Sequence, residues 1–201
     1  MSYFTYRIFK SVSLEKLRAK VAANLALFEP GSSGHEMVVH VFQGQGCSAM
    51  LMGYLRRESW LLTPVGQQLG CVWMDVRYQD GDAWDLSAYE DAEHRVSHNV
   101  NPWAYDEEEF VNAQYDQKAV DFRINRVCEL WPEQAPRIRR HLLPWREPIV
   151  REGVTNFVAR TGKAYETDEH EYGDANQVLD FLKQFGIDET KPTTVGKRAK
   201  S

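Results

Sequence analysis

The sequence predicts an α+β fold: a mostly antiparallel sheet, with helices packed on one face or end. Three observations carry this. Residues 71–100 alternate apolar and polar side chains through three consecutive runs separated by turn-forming residues, which is the pattern of a three-strand meander with one buried face. A strand-like stretch and a capped helical stretch open the chain. Most of the remaining helical periodicity lies after residue 105, so strands and helices are grouped rather than strictly interleaved.

Residues 3–9 (YFTYRIF) are aromatic and β-branched, with Phe4, Tyr6 and Ile8 alternating against Tyr3, Thr5 and Arg7; they predict a first strand. Ser13 offers an N-cap and Glu15 an acid for the first helical turn. Leu14, Leu17, Val21, Leu25 and Phe28 then form one helical stripe, with Lys16, Arg18, Lys20 and Asn24 on the other side. Pro30-Gly31 ends that helix. Residues 36–43 and 48–54 predict two further strands around the Gly44-Gln45-Gly46 loop. Residues 58–69 carry a possible helical face, and Pro64 marks where the helix can begin.

In the meander, Val72, Met74 and Val76 alternate with Trp73, Asp75 and Arg77. After the Asp80-Gly81-Asp82 turn, Trp84 and Leu86 alternate with Asp85, Ser87 and Tyr89. A second turn near Asp91 leads to Val96 and His98, alternating with Arg95, Ser97 and Asn99. Pro102 breaks the pattern. Acids at 106–109 suit a helix N-terminus, and Val120, Ile124, Val127 and Trp131 lie at helical spacing. Residues 136–143 predict a short helix and 154–160 an edge strand. Asp174 and Gln177 suggest a capping box for a last helix bearing Val178, Leu179, Leu182 and Phe185, stopped by Gly186.

Residues 1–187 thus predict a single domain. Residues 188–201 are polar, with Lys191, Lys197, Arg198 and Lys200 and no periodicity, and predict a disordered basic tail. Of the 201 residues, 43% are hydrophobic and 26% charged, ordinary for a globular chain, and the net charge of −5 argues against general attraction to nucleic acid. Cys47, Cys71 and Cys128 are odd in number and form no CxxC, which predicts reduced thiols. No apolar run is long enough to span a membrane and no signal-peptide pattern opens the chain, so a cytoplasmic location is expected.

No stretch matches a motif for catalysis, metal or cofactor binding, so no cofactor is expected. The polar side of the meander is the leading candidate surface: Trp73, Asp75, Arg77, Asp85, Tyr89 and Arg95 combine aromatic anchors with charges, the mix that binds other proteins. The competing reading is a solvated sheet face with cross-strand Asp–Arg pairs. Asp75 and Asp85 are also a conceivable acid pair. Residues 166–174 surround His170 with carboxylates; Asp168, His170 and Glu171 could ligate a metal, although the spacing fits neither an EF-hand nor HExxH. His94 and His98, in one strand, are expected on the same face and too far apart to share an ion. Cys47, near His40 in sequence, is the best thiol nucleophile, against the plainer reading of a buried thiol. Arg137, Arg139, Arg140, His141, Arg146 and Arg151, with Trp145 among them, form a basic cluster that could meet an acidic partner or nucleic acid.

The general character of the chain resembles bacterial proteins that act as immunity or anti-defence partners; no single motif carries that resemblance. It implies a non-enzymatic cytoplasmic domain that binds another protein. The alternatives are a small hydrolase or metal-dependent enzyme using surface carboxylates and a histidine, and a nucleic-acid-associated protein using residues 137–151.

Overall fold

The structure, a computed structural model, describes residues 3–27, 37–53, 64–79, 83–104, 111–112 and 114–197. Among these, strands β1 (Tyr3–Lys10), β2 (Met37–Gln43), β3 (Cys47–Gly53), β4 (Trp73–Gln79), β5 (Ala83–Glu90), β6 (Glu93–Asn99) and β9 (Thr193–Lys197) form one antiparallel sheet in the order β6-β5-β4-β1-β3-β2-β9. Strands β7 (Arg146–Arg151) and β8 (Val154–Ala159) form a separate hairpin. The helices are α1 (Leu14–Ala26), α2 (Pro64–Leu69), α3 (Gln117–Leu130), α4 (Ala135–Ile138) and α5 (Gln177–Lys183). The α+β class with an antiparallel sheet is therefore what the chain adopts.

The pleat divides the core in two. Tyr6, Ile8, Met74, Val76, Trp84, Leu86 and Val96 face a cluster with α3, α4 and α5, where Phe181 lies on Trp84 at 4.9 Å between ring centroids. Phe9, Met50, Met52 and Trp73 face a second cluster with Leu17, Val21 and Leu25 of α1 and Val65 and Leu69 of α2. Helices thus cover both faces rather than one face or end. Both sides of β1 carry buried apolar residues, Tyr6 and Ile8 on one and Phe9 on the other, which suits its position at the centre of the sheet. The apolar row expected of the meander is in this core: Met74, Val76, Trp84, Leu86 and Val96 are buried, and Val72 packs against them half-buried.

Several local expectations hold and others are corrected. Ser13 caps α1, its Oγ accepting from the backbone N–H of Lys16 at 3.2 Å. Asn24, assigned to the solvent side, is instead buried, and its amide donates to Gln68 at 2.8 Å. The capping box at α5 does not form. Asp174 accepts from Asn176 in the preceding turn, while the Gln177 side chain turns inward and accepts from Trp145 Nε1 at 2.9 Å. The stretch 188–201, expected as a disordered tail, contributes β9: Thr193, Thr194 and Val195 are β-branched and pair with the free side of β2. The strand around 154–160 is half of the β7–β8 hairpin, whose turn places Glu152 and Gly153 at φ 53° and 79°. The expectations for residues 28–36, 54–63, 80–82 and 105–110 lie outside the described residues.

Candidate functional site

The polar side of the meander is built by cross-strand register. Arg7 stands opposite Asp75, Asp75 opposite Ser87, Arg77 opposite Asp85, and Ser87 opposite Ser97. In a sheet, side chains at opposed positions are close neighbours, so these residues pair. Arg7 grips Asp75 with two nitrogens, at 2.6 and 2.9 Å, and the residues are only 6% and 8% exposed. Arg77 donates to Asp85 at 2.6 Å and to Ser87 at 3.0 Å. Ser87 and Ser97 share a hydrogen bond at 2.8 Å, and His94 Nε2 closes the chain on Ser97 at 2.8 Å. The result is a buried Arg7–Asp75 pair on β1 and β4 and, beside it, a bonded ladder Asp85–Arg77–Ser87–Ser97–His94 that runs from β4 to β6, the outermost strand on that side among the described residues.

The six residues singled out in the sequence occupy different parts of this ladder. Trp73, Asp75, Arg77, Asp85 and Tyr89 share one face, as alternation implies. Trp73 is 4% exposed, however, and stacks on Tyr89 at 4.9 Å, with α2 against it. Asp75 is buried with Arg7. Arg77, Asp85 and Tyr89 are half-buried. Arg95 pairs with Glu90 and Glu93 around the β5–β6 turn. A bulge next to Tyr89 leaves Arg95 without an opposed residue, so His94 pairs with Tyr89 while His98 pairs with Leu86. His94 and His98 therefore lie on opposite faces, contrary to the expectation that they share one. Arg7 is the partner of Asp75 that sequence reasoning missed. Its signal was a lone cation alternating with the apolar Tyr6 and Ile8.

Beside the ladder, between the β5–β6 side of the sheet and the start of α3, lies a cleft of about 370 Å³. Arg77, Asp85, Ser97 and Asn99 line the sheet side; Tyr115, Asp116, Val120 and Arg123 line the helical side; His98 forms part of the wall. His98 is 3% exposed and its Nε2 donates to the Leu142 carbonyl at 2.6 Å. A carbonyl only accepts, so the proton sits on Nε2, and Nδ1 is a buried acceptor with no hydrogen-bond partner among the described residues. Burial pulls the His98 pKa down to about 4, against the bond to Leu142, with nearby Arg123 lowering it further; the ring is neutral at pH 7.

The other candidates are not assembled into a reactive centre. Asp168 is buried and accepts from the Tyr165 N–H at 2.8 Å, with its carboxylate 3.6 Å from His141 Nε2. Burial raises the Asp168 pKa and lowers that of His141 to about 4, so the ring is neutral at pH 7 and the contact is not an ion pair. Asp180 is also desolvated, but the N–H groups of His170 and Glu169 and the Lys183 ammonium outweigh burial and hold its pKa low. His170 faces Asp174, and Glu171 is exposed. Among the described residues, no three His, Cys, Asp or Glu are placed to hold a metal ion. Burial pushes the Cys47 thiol up to about 12 and Cys71 to about 11, and also raises Cys128, so none is an activated thiolate. Cys47 Sγ contacts the Phe185 carbonyl at 3.6 Å, the environment of a core thiol.

The basic cluster also separates. His141 and Trp145 are buried, and Arg146 lies over the Trp103 ring at 5.5 Å. Arg137, Arg139 and Arg140 are exposed and bond to neutral groups: Gln45, Asn125 and the Ala164 carbonyl. Among the described residues, no helix is long and apolar enough to cross a membrane. No family model, curated protein or solved structure matches this chain.

Proposed function

We propose that this protein is a cytoplasmic, non-enzymatic interaction domain that binds another protein through the β4–β6 side of its sheet, in the manner of an immunity or anti-defence partner. The observation that carries this reading is the ladder. Its guanidinium, carboxylate and hydroxyl groups are bonded to one another from Asp85 through Arg77, Ser87 and Ser97 to His94, with the buried Arg7–Asp75 pair beside them, so the outer end of this face is held in one arrangement and its charges are committed to position. Preorganised polar groups around the half-buried Tyr89 suit recognition, because little side-chain freedom is lost on binding. The same commitment works against the hydrolase reading: Asp75 is bound by Arg7 and Asp85 by Arg77. β6 adds an open strand edge among the described residues, to which an extended partner segment could pair. The acidic net charge favours a basic partner.

The test uses the full chain with a photo-crosslinking side chain at Ser97, and separately at Arg95, expressed in the native cell. One discrete protein adduct is expected from both sites, weakened by Tyr89→Ser and by Arg95→Glu. The purified partner should then protect β6 amides from hydrogen exchange. Absence of a protein adduct at both sites, or an adduct indifferent to both substitutions, overturns the reading.

A further inference from the structure

The outer edge of β8 is undefended. Its six residues, Val154 to Ala159, carry no charge, and Val154, Thr155 and Val158 are β-branched. Val154 and Val158 share one face of the hairpin and are 60% and 37% exposed. Edge strands are ordinarily blunted by charge, proline or a bulge, because their unpaired N–H and C=O groups recruit another strand.

The register identifies the free groups. The Arg160 N–H donates to the Trp145 carbonyl at 2.7 Å, so the even-numbered residues of β8 turn their backbone groups toward β7. Those of Thr155, Phe157 and Ala159 point away, and no strand among the described residues meets them. The other edge differs. Arg146, Pro148 and Val150 are the outward positions of β7, and Pro148 in their midst has no N–H to donate. The hairpin therefore has one open edge and one blocked edge.

β8 is complementary to itself. Laid antiparallel on a second copy and centred on Asn156, it sets Thr155 opposite Phe157 of that copy, where the two exchange hydrogen bonds, and Val154 opposite Val158 on the exposed face. The hairpin tip, where Glu152 is exposed and in no ion pair among the described residues, then lies beside the base of the second hairpin, which holds Arg160.

We propose that the chain forms a two-fold symmetric dimer by antiparallel pairing of β8 with β8 of a second copy. Pro148 then interrupts both outer edges of the joined sheet, so pairing closes at two copies instead of running on into a filament. This surface is separate from the β6 edge and goes beyond the binding of another protein. A single short strand makes a small interface, so the dimer is weak and assembles with concentration.

Sedimentation equilibrium of the full chain under reducing conditions should show monomer at about 5 μM and mostly dimer at about 500 μM. Amide exchange at Thr155 and Phe157 should slow several-fold over that range, while exchange at Ser97 on β6 stays constant. Val158→Lys, which leaves the backbone intact, and Thr155→Pro, which removes an outward N–H as Pro148 does on β7, should each weaken association tenfold or more. In the dimer, Asn156→Cys brings two thiols together on Cα atoms about 4.5 Å apart, within disulfide reach, whereas Val154→Cys leaves them about 13 Å apart along the strands. Mild oxidation should therefore crosslink the first variant at least tenfold faster than the second. A chain that stays monomeric at about 1 mM overturns the proposal. So does a dimer that protects Ser97 rather than Thr155 and Phe157, or one that neither Val158→Lys nor Thr155→Pro weakens. Equal crosslinking of the two thiol variants overturns the register centred on Asn156.

Discussion

Arg7 and Asp75 face one another across β1 and β4 with both side chains out of water. Removing one member of such a pair leaves the other charge buried without its counter-ion, whereas a half-exposed pair is screened. Asp75→Asn should therefore cost about 3–5 kcal/mol of stability, and Asp85→Asn no more than about 1 kcal/mol, both measured by urea unfolding. His98 and His141 set a pH dependence. Each has a folded pKa of about 4 against 6.5 for an ordinary histidine, so the unfolded chain binds more protons between those values. Their stability contribution is complete above about pH 6.5 and is lost as pH falls toward 4, by roughly 2 kcal/mol each between pH 7 and pH 5. Asp168 has the opposite sign, since its pKa is raised on folding, and it moderates the acid end. Unfolding midpoints at pH 7 and pH 5 should converge in a His98→Leu, His141→Phe double variant relative to the unsubstituted chain. At this scale the sequence shows which residues alternate onto one face. It does not show that Asp75 reaches back to Arg7, because that pairing depends on β1 lying next to β4.

At the scale of elements, α2 is short and owes its place to packing. A Cβ added at Gly66 would stand 2.7 Å from the Trp73 ring. Gly66→Ala should cost about 1–3 kcal/mol, because Trp73 is stacked on Tyr89 and has little room to move. The Trp73–Tyr89 stack gives the readout: native-state tryptophan fluorescence should change along with the unfolding midpoint. The bulge at Arg95 has a larger geometric consequence. One extra residue puts His94 on the ladder and keeps His98 on the apolar face. Period-two reading assumes an unbroken strand, so it assigns both histidines to one side. The missing capping box has a similar origin: local spacing fits it, but Trp145 claims the Gln177 amide in the interior.

At the scale of the molecule, β9 closes the β2 side of the sheet. Ending the chain after Pro192 should free the backbone groups of β2 from residue 37 to 41 and remove the half-buried Val195 from the α1 side. The expected cost is on the order of 2 kcal/mol, or roughly 4–8 °C in Tm for a chain of this size. Hydrogen exchange should show the β2 amides losing protection first, and protection unchanged there would contradict β9 as a structural strand. Five residues, Thr193 to Lys197, with Val195 the one hydrophobic side chain, carry too little apolar pattern to announce a strand. An open neighbouring edge supplies the partner that makes them one.

The sequence by itself determined the antiparallel meander, the helical stripes of α1 and α3, the apolar core row and the absence of any recognisable catalytic motif. Those follow from periodicity, which is a local property. Tertiary structure alone decided that helices cover both faces, that β9 joins the sheet, that Asp75 pairs with Arg7 and that the meander's remaining charges form a bonded ladder. It also decided that His98 of β6 and Asp116 and Arg123 at the start of α3 line one cleft. Each of these depends on which strand lies beside which, and that order is set by packing between segments that no local pattern connects.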